Sequence, residues 1–298
     1  MILDITVRFC LSLKLEERLS NFVIGDTHGS YDKVMRTLEL AKFSDSDTLY
    51  FTGDLCDRGT QNKEILDFFM SLGDRFKGCF GNHDVWLYTW LKDEIQLYAR
   101  EVWYANGGNN TIDSLYDAGI KQKEGWSDKE YVDKLIDFVG SLKYIQSPSE
   151  GIRVMHTLTT DEVLLKNIVI HDMKDVYNLS LKDAIETGFL LDTVFDEEIF
   201  DRSVLYSSKQ FHRYSYSSST YKENTKDAES VIFNQDNPLT IVGHTPLKEV
   251  VYCKDLNTLC IDTGGFADIG RISVVKLDDF TCYDSNGNVQ DLDMSKEN

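Results

Sequence analysis

The stretch NFVIGDTHGSYDKVMRTLELAKFSDSDTLYFTGDLCDRGTQNKEILDFFMSLGDRFKGCFGNHD, residues 21–84, decides the fold. Asn21 to Gly25 is short and apolar and runs into Asp26-Thr27-His28-Gly29, as a buried strand ending in a polar loop does. The period then changes: Ser30 can cap a helix whose Val34, Leu38 and Ala41 share one face. Asp45 to Asp47 turn the chain into a second apolar strand, Thr48 to Thr52, which meets Gly53-Asp54. Ile65, Phe68, Phe69 and Leu72 recur at helical spacing, and a third strand, Phe76 to Phe80, leads into Gly81-Asn82-His83-Asp84. The order is β-α-β-α-β, and each strand ends in glycine beside metal-ligand residue types, at the carboxyl ends where parallel sheets place their sites. Asp, Asn and Gly are also ordinary turn formers, which suffices to explain any one of these loops. Three in succession point to chemistry.

Working outward, Val85 to Trp103 is helical in pattern, Asn106 to Asn110 reads as a loop, and Tyr131 to Val139 as a helix with Val132, Leu135 and Phe138 on one side. Ile152 to Met155 makes a short strand ending at His156, and Asn167 to Ile170 another ending at His171. Thr160 to Asn224 shows no clear period, and its Ser- and Tyr-rich part, Tyr214 to Tyr221, reads as a surface loop. Strands resume at Leu239 to Val242, Val250 to Cys253, Thr258 to Ile261 and Ile272 to Leu277, and the tail after Asp284 reads as frayed.

These elements describe one α/β domain over residues 1–298, with a core of about 20–278 and a variable insertion of about 157–235. Hydrophobic residues make up 42% and charged residues 27%, ordinary values for a soluble globular protein. The formal charge of -19 excludes an extended nucleic-acid surface, which needs clustered Lys and Arg. A single phosphate can still be held where divalent cations dominate the local field. The six cysteines form no C-x-x-C pair and read as reduced, packed thiols; Cys56, between Asp54 and Asp57, reads as apolar filler rather than a redox switch. Asp4 and Arg8 interrupt the apolar start, so no secretory core can be drawn, and no apolar run is long enough to span a membrane. The expectation is a cytoplasmic protein with no membrane partner.

Two hard divalent cations about 3.5–4 Å apart need carboxylate, imidazole and amide ligands with one carboxylate shared. Asp26 and His28, two residues apart in an extended loop, can grip one ion together. Asp54 can bridge both ions, Asn82 can offer its amide oxygen to the second, and His244 with one of His156 or His171 can complete it.

With these residues in place, the chain resembles the phosphoprotein phosphatases of the calcineurin-like metallophosphoesterase superfamily, particularly bacterial and phage-type members. GDTHG at Gly25, GDLCDRG at Gly53, GNHD at Gly81 and IVGHTP at Ile241 stand in that family's order. Weaker echoes are Trp103-Tyr104-Ala105-Asn106-Gly107-Gly108, followed by Thr111 and Ser114, and Ile261-Asp262-Thr263-Gly264-Gly265. The resemblance implies a central β-sandwich of two mixed sheets flanked by helices, a four-layer fold with its metal site at strand carboxyl ends. It implies two divalent ions, manganese foremost with iron or zinc as alternatives, and a hydroxide bridging them as nucleophile. By the same resemblance Asp26, His28 and Asp54 hold one ion, and Asp54, Asn82, His244 and His156 the other, with His171 as the alternative to His156. His83 resembles the general acid and Asp57 the carboxylate that orients it. Arg58 looks like a phosphate clamp, with Asn82 and His83 also facing the phosphate.

Two positions depart from the pattern. Thr157-Leu158 replaces a pair of small residues after His156, and Leu205-Tyr206-Ser207-Ser208-Lys209 lacks the family's second phosphate-binding arginine. Lys209 can substitute as a point charge, or Arg202 or Arg213 can reach in. The expected activity is hydrolysis of phosphoserine or phosphothreonine, and phosphotyrosine too, in a phosphorylated protein or small phosphoester. GNHD in place of GNHE is similar instead to the symmetrical diadenosine tetraphosphate hydrolases, the first alternative. A catalytically inactive module that binds phosphorylated partners is the second.

Overall fold

The computed structural model describes residues 19–157, 179–186, 238–254 and 257–294. Strand β1 (Asn21–Ile24) buries Phe22, Val23 and Ile24 in succession, as a strand covered on both faces must. Helix α1 (Tyr31–Leu40) turns Val34, Thr37 and Leu38 inward and returns the chain to β2 (Thr48–Phe51). Helix α2 (Asn62–Ser71) packs Ile65, Leu66 and Phe69 and leads to β3 (Phe76–Gly78). The three strands are parallel, with Ile24 opposite Phe51 and Phe51 opposite Gly78, so the segments following them emerge at one edge.

The long helical pattern after His83 divides. Helix α3 (Asn82–Leu91) stops where polar Lys92-Asp93-Glu94 takes over, Asp93 adopting a left-handed φ of 57°, and α4 (Leu97–Ala105) restarts the helix. The expected loop at Asn106 to Asn110 shrinks to a turn at Gly107, whose φ is 97°, and α5 (Gly108–Asp117) follows at once. Gly-Gly-Asn-Asn has low helix propensity, and burial of Thr111 and Leu115 overrides it. A short hairpin, β4 (Lys121–Gln122) and β5 (Gly125–Trp126), precedes α6 (Lys129–Gly140), which Asp128 caps by accepting the Tyr131 N–H at 3.0 Å.

Strands β6 (Ile145–Ser149) and β7 (Ile152–Met155) form a hairpin; α7 (Leu181–Glu186), β8 (Leu239–Val242), β9 (Val251–Cys253) and β10 (Thr258–Cys260) follow. The chain then returns to the first sheet through β11 (Ser273–Lys276), β12 (Thr281–Asp284) and β13 (Val289–Asp291). The tail expected to fray is therefore paired: the Asp284 carboxylate accepts the N–H groups of Asn286 and Asn288 and turns the chain, and β13 lies antiparallel to β12. The strand expected at Asn167 to Ile170 and the loop at Tyr214 to Tyr221 lie outside the described residues.

Among the described residues the two larger sheets are mixed, six strands in the order β13-β12-β11-β1-β2-β3 and five in the order β6-β7-β8-β10-β9. Val23, Val275 and Cys282 of the first meet Val154, Ile241, Tyr252 and Leu259 of the second in one apolar layer. Alternate residues, among them Ile24, Val274, Met155 and Val242, face the larger cluster shared with the helices. The fold is the expected α/β sandwich. Cys56, Cys79, Cys253, Cys260 and Cys282 are buried and outside any disulfide, and burial pushes the Cys56 thiol up, as apolar filler requires.

Candidate metal centre

The loops after β1, β2 and β3 carry most of the candidate ligands, and their backbones are unusual. His28, Asp54, Asp57 and Arg58 hold φ of 41°, 64°, 77° and 60°, a region that costs a non-glycine residue about 1 kcal/mol or more. Hydrogen bonds fix these turns. The Thr27 and His28 N–H groups both donate to the Asp54 carbonyl, at 3.2 and 3.1 Å, and the Thr27 hydroxyl donates to the Leu55 carbonyl at 2.9 Å. Asp84 ties the second loop to the third: its carboxylate accepts N–H groups from Asp54 (2.8 Å), Leu55 (3.1 Å) and Gly81 (2.8 Å). A side chain at Gly81 would strike the Asp54 carboxylate, so only glycine lets the two loops approach.

The second sheet adds two imidazoles. His156 follows β7 and His244 follows β8, the latter at a φ of 69°. Both lean on the first sheet. His156 Nδ1 donates to the Thr52 carbonyl at 3.2 Å, and the His244 N–H donates to Asp26 Oδ2 at 2.9 Å. Asp26 Oδ1 in turn accepts the Thr52 hydroxyl at 2.9 Å.

Asp54 stands at the centre. Its Oδ2 lies 3.6 Å from His28 Nε2, 3.5 Å from His156 Nε2 and 4.0 Å from His83 Nε2. His156 Nε2 lies 3.0 Å from His244 Nδ1 and 3.3 Å from the Asn82 amide oxygen. The Nδ1–H of His28 donates to the Cys56 carbonyl at 2.8 Å, and that of His83 to Asp57 at 2.5 Å. Three rings thus keep the Nδ1 proton and aim an Nε2 lone pair inward, as metal-binding or proton-transferring imidazoles must.

Burial raises the carboxyl groups of Asp26 and Asp54 well above the usual range, and neighbouring carboxylates, Asp262 beside the one and Asp84 beside the other, add to it. Burial also holds His28, His83 and His156 well below theirs, reinforced by Arg58 at the first two and by His244 at the third, and lowers His244 to about 3. Carboxylates that resist ionisation beside neutral imidazoles form an array that bound cations would relieve. The Oδ2 atom of Asp262, buried and with no hydrogen-bond partner among the described residues, adds a further oxygen in this region. Carboxylate oxygens, imidazole nitrogens and an amide oxygen fit hard divalent cations without selecting among manganese, iron and zinc.

Two three-residue groups among the described residues have ligand atoms within 4.8 Å of one another: His28, Asp54 and His83, and Asp54, His156 and His244. His83 rather than Asp26 completes the first, a difference from the ligand set the resemblance implies. Asn82, at the start of α3 with its amide oxygen on His156, and Asp26, through its bond to the His244 N–H, border the second group. His171, Lys209, Arg202 and Arg213 lie outside the described residues.

Asp57 is fully buried, and its carboxyl is pushed up to about 7 by that burial, against the pull of hydrogen bonds from Thr111 and Trp103 and of the Arg58 charge. Its Oδ2 accepts from His83 Nδ1 and Trp103 Nε1, each at 2.5 Å, and its Oδ1 from the Thr111 hydroxyl at 2.5 Å. Arg58 spans His28 and His83, with Nη1 3.0 Å from His28 Nε2, Nη2 3.2 Å from His83 Nε2, and its backbone N–H on the Gly107 carbonyl at 3.2 Å. Sequence reasoning missed the supporting roles of Asp84, Asn62, Trp103 and Thr111. For three of them the signals were present, Asp84 inside GNHD and Trp103 and Thr111 inside the weaker echo at Trp103. Asn62, which accepts the Asp57 N–H at 2.8 Å, sits in a stretch that reads only as a helix start.

A family model for calcineurin-like phosphoesterases matches residues 22–275. The symmetrical bis(5'-nucleosyl)-tetraphosphatase of Buchnera aphidicola subsp. Baizongia pistaciae is 47% identical over 82 residues, which span 27% of this chain and 27% of that protein. The enzyme of the same name from Psychromonas ingrahamii is 44% identical over 70 residues, 23% of this chain and 25% of that protein. The chain therefore matches about a quarter of these relatives' length. A cold-active protein-tyrosine phosphatase from Shewanella sp. superposes with a TM-score of 0.57 at 17% identity, covering 92% of this chain and 80% of that one. A candidate diadenosine tetraphosphatase superposes at 0.50 and 14% identity, covering 90% and 94%. At such identities the likeness to the solved structures is one of fold.

Proposed function

Because the chain belongs to the calcineurin-like phosphoesterase family of hydrolases, we propose that it cuts the phosphoanhydride bridge of a dinucleoside tetraphosphate symmetrically, with two divalent cations held by the cluster around Asp54. The observation that carries the two-cation reading is the place of Asp54 Oδ2, 3.6 Å from His28 on one side and 3.5 Å from His156 on the other. The substrate reading is supported by the curated relatives, which are named as symmetrical tetraphosphatases, and by the GNHD sequence at Gly81. The phosphoprotein substrate expected from the sequence gives way to this alternative.

Asp26, His28 and Asp54 would hold one cation, and Asp54, Asn82, His156 and His244 the other. Bound there, the pair supplies positive charge to the phosphoryl oxygens and lowers the pKa of an attacking water. The remaining steps belong to the chain. The two terminal nitrogens of Arg58 form a planar fork that matches two non-bridging oxygens of a phosphoryl group. His83, fixed through Nδ1 by Asp57, presents Nε2 to the leaving oxygen; its ring, held neutral by burial and Arg58, would deliver a proton from that atom once the bound phosphoryl charge favours the protonated form. Asp57, itself fixed by Trp103 and Thr111, keeps the ring from turning and offsets the charge of its protonated form.

A second reading, hydrolysis of phosphate monoesters in proteins, is favoured by one feature: Gly107 and Thr111, in the segment that resembles the phosphatases, contact Arg58 and Asp57 directly. The two separate by assay. Protein loaded with manganese is given diadenosine tetraphosphate or a phosphoserine peptide, and ADP and inorganic phosphate are measured. The expected outcome is ADP release with kcat/KM at least tenfold above phosphate release. The reverse ratio overturns the substrate reading in favour of the second. No turnover of either by protein that retains manganese overturns both, and leaves a module that binds phosphorylated partners.

A further inference from the structure

Lys33, in the first turn of α1, is the third residue after the Ser30 cap position and lies outside every motif. Its ammonium group donates to three carbonyls of one loop: Gly265 at 2.8 Å, Ala267 at 2.8 Å and Gly270 at 3.0 Å. An ammonium has three donors, and all three are used. The Ser30 hydroxyl, expected to cap its own helix, donates to the Gly265 carbonyl at 3.1 Å instead. The first turn of α1 thus grasps the loop between β10 and β11 from outside.

The same loop is closed from within. Thr263 accepts the Arg271 N–H at 2.9 Å and returns its hydroxyl to the Arg271 carbonyl at 2.7 Å, while Ala267 and Gly270 make successive turns. At its tip Phe266 lies with its ring centroid 4.6 Å from the Arg58 guanidinium carbon and edge-on to His28 at 5.4 Å. An arginine side chain is a long rotor, and an aromatic face against its guanidinium limits the orientations it samples. Among the described residues, the hydrogen bonds of the Lys33 ammonium go to this loop and not to Arg58 or a candidate ligand.

We infer that Lys33 is a positioning residue for phosphate binding: it locks the 263–271 loop so that Phe266 holds the Arg58 fork in the orientation that receives a phosphoryl group. This rests on the reading of Arg58 as the phosphate clamp. The contribution falls on binding rather than on the chemical step, because the groups that move the proton, His83 and Asp57, are held by Trp103 and Thr111 and not by this loop.

The test uses the full chain loaded with manganese, and the variants Lys33→Met, Lys33→Arg, Phe266→Leu and the double variant Lys33→Met with Phe266→Leu. Calorimetry with inorganic phosphate gives Kd, turnover of p-nitrophenyl phosphate gives KM and kcat, and hydrogen exchange reports on residues 263–271. Lys33→Met is expected to weaken phosphate and raise KM about fivefold with kcat within about twofold, and to speed exchange in the loop. Lys33→Arg, which can still cap the carbonyls, restores most of the affinity. Phe266→Leu has an effect similar to Lys33→Met, and the double variant is no weaker than either, because both act through one contact. Losses that multiply in the double variant, or unchanged exchange in Lys33→Met, overturn the inference. Should the wild type bind phosphate yet turn over no ester, the hydrolase reading fails while affinity and exchange still decide the role of Lys33.

Discussion

The two halves of the candidate centre are built differently. The half contributed by the first sheet, from Asp26 to Asp84, is held by its own network: strained turns at His28, Asp54, Asp57 and Arg58 pinned by carbonyls and by the Asp84 carboxylate. The half contributed by the second sheet is two histidines, and each takes its anchor from the first, His156 from the Thr52 carbonyl and His244 from the Asp26 carboxylate. A compact run of sequence, β1 through α3, therefore preforms one side of the centre, and the packing of the sheets delivers the other. Asp54 Oδ2 approaches imidazoles of both halves, His28 and His156.

The largest effect should come from removing the charge that joins them. Asp54→Asn keeps the shape, and its backbone N–H bonded to Asp84, but removes the negative charge between the two groups of imidazoles. Losing a shared carboxylate removes several kcal/mol of charge stabilisation, so kcat/KM should fall about 10³-fold or more. Metal analysis after desalting should show fewer bound ions with an unchanged circular dichroism spectrum. A variant that keeps full metal content and activity would mean that the halves do not meet at Asp54.

The comparison also predicts which half carries stability. Asp84→Ala leaves three buried N–H groups, on Asp54, Leu55 and Gly81, without their acceptor. At about 1–3 kcal/mol for each unsatisfied group, the cost should be about 3 kcal/mol or more, read from denaturant unfolding of metal-free protein. His244→Ala, whose backbone bond to Asp26 survives, should cost about 1 kcal/mol or less in the same measurement while still weakening metal binding. Equal losses would show that the halves share their rigidity.

The sequence was legible where local pattern and chemistry coincide. Residues 21–84 alternate short apolar runs with stretches of period 3.6, and each strand ends in a motif, so β1, α1, β2, α2 and β3 and the candidate ligands after them could be read together. His156 was harder because only a four-residue strand precedes it, and its neighbour in the structure, His244, lies 88 positions further on. The supporting residues Asp84, Trp103 and Thr111 lay inside motifs, but what each one holds was not legible. Asp84 bonds to backbone, which leaves no partner type to recognise in a sequence, and the start of α5 at Gly108 contradicts its own propensity because Thr111 is drawn inward to Asp57. The Lys33 contact joins residues 232 to 237 positions apart, where no periodic signal extends.

The smallest expected effect is also the most selective. Thr52 is fully buried and serves both halves through different atoms: its hydroxyl donates to Asp26, whereas His156 rests on its carbonyl. Thr52→Val removes the first contact with little change of volume and leaves the second in place. The Asp26 carboxyl is already raised by burial and by the Asp262 and Asp54 charges, and the Thr52 hydroxyl pulls it back down, so its loss makes the ionised form that a cation requires harder to reach. Loss of such an outer hydrogen bond should weaken one manganese ion by about 10–100-fold and leave the other nearly unchanged. A manganese titration followed by calorimetry should then show one affinity lowered and the other unchanged relative to the unaltered protein. If both fall together, Asp26 supports the two ions alike, and the division of the centre into a self-supporting half and a dependent half is wrong at the residue where they are joined by a side chain.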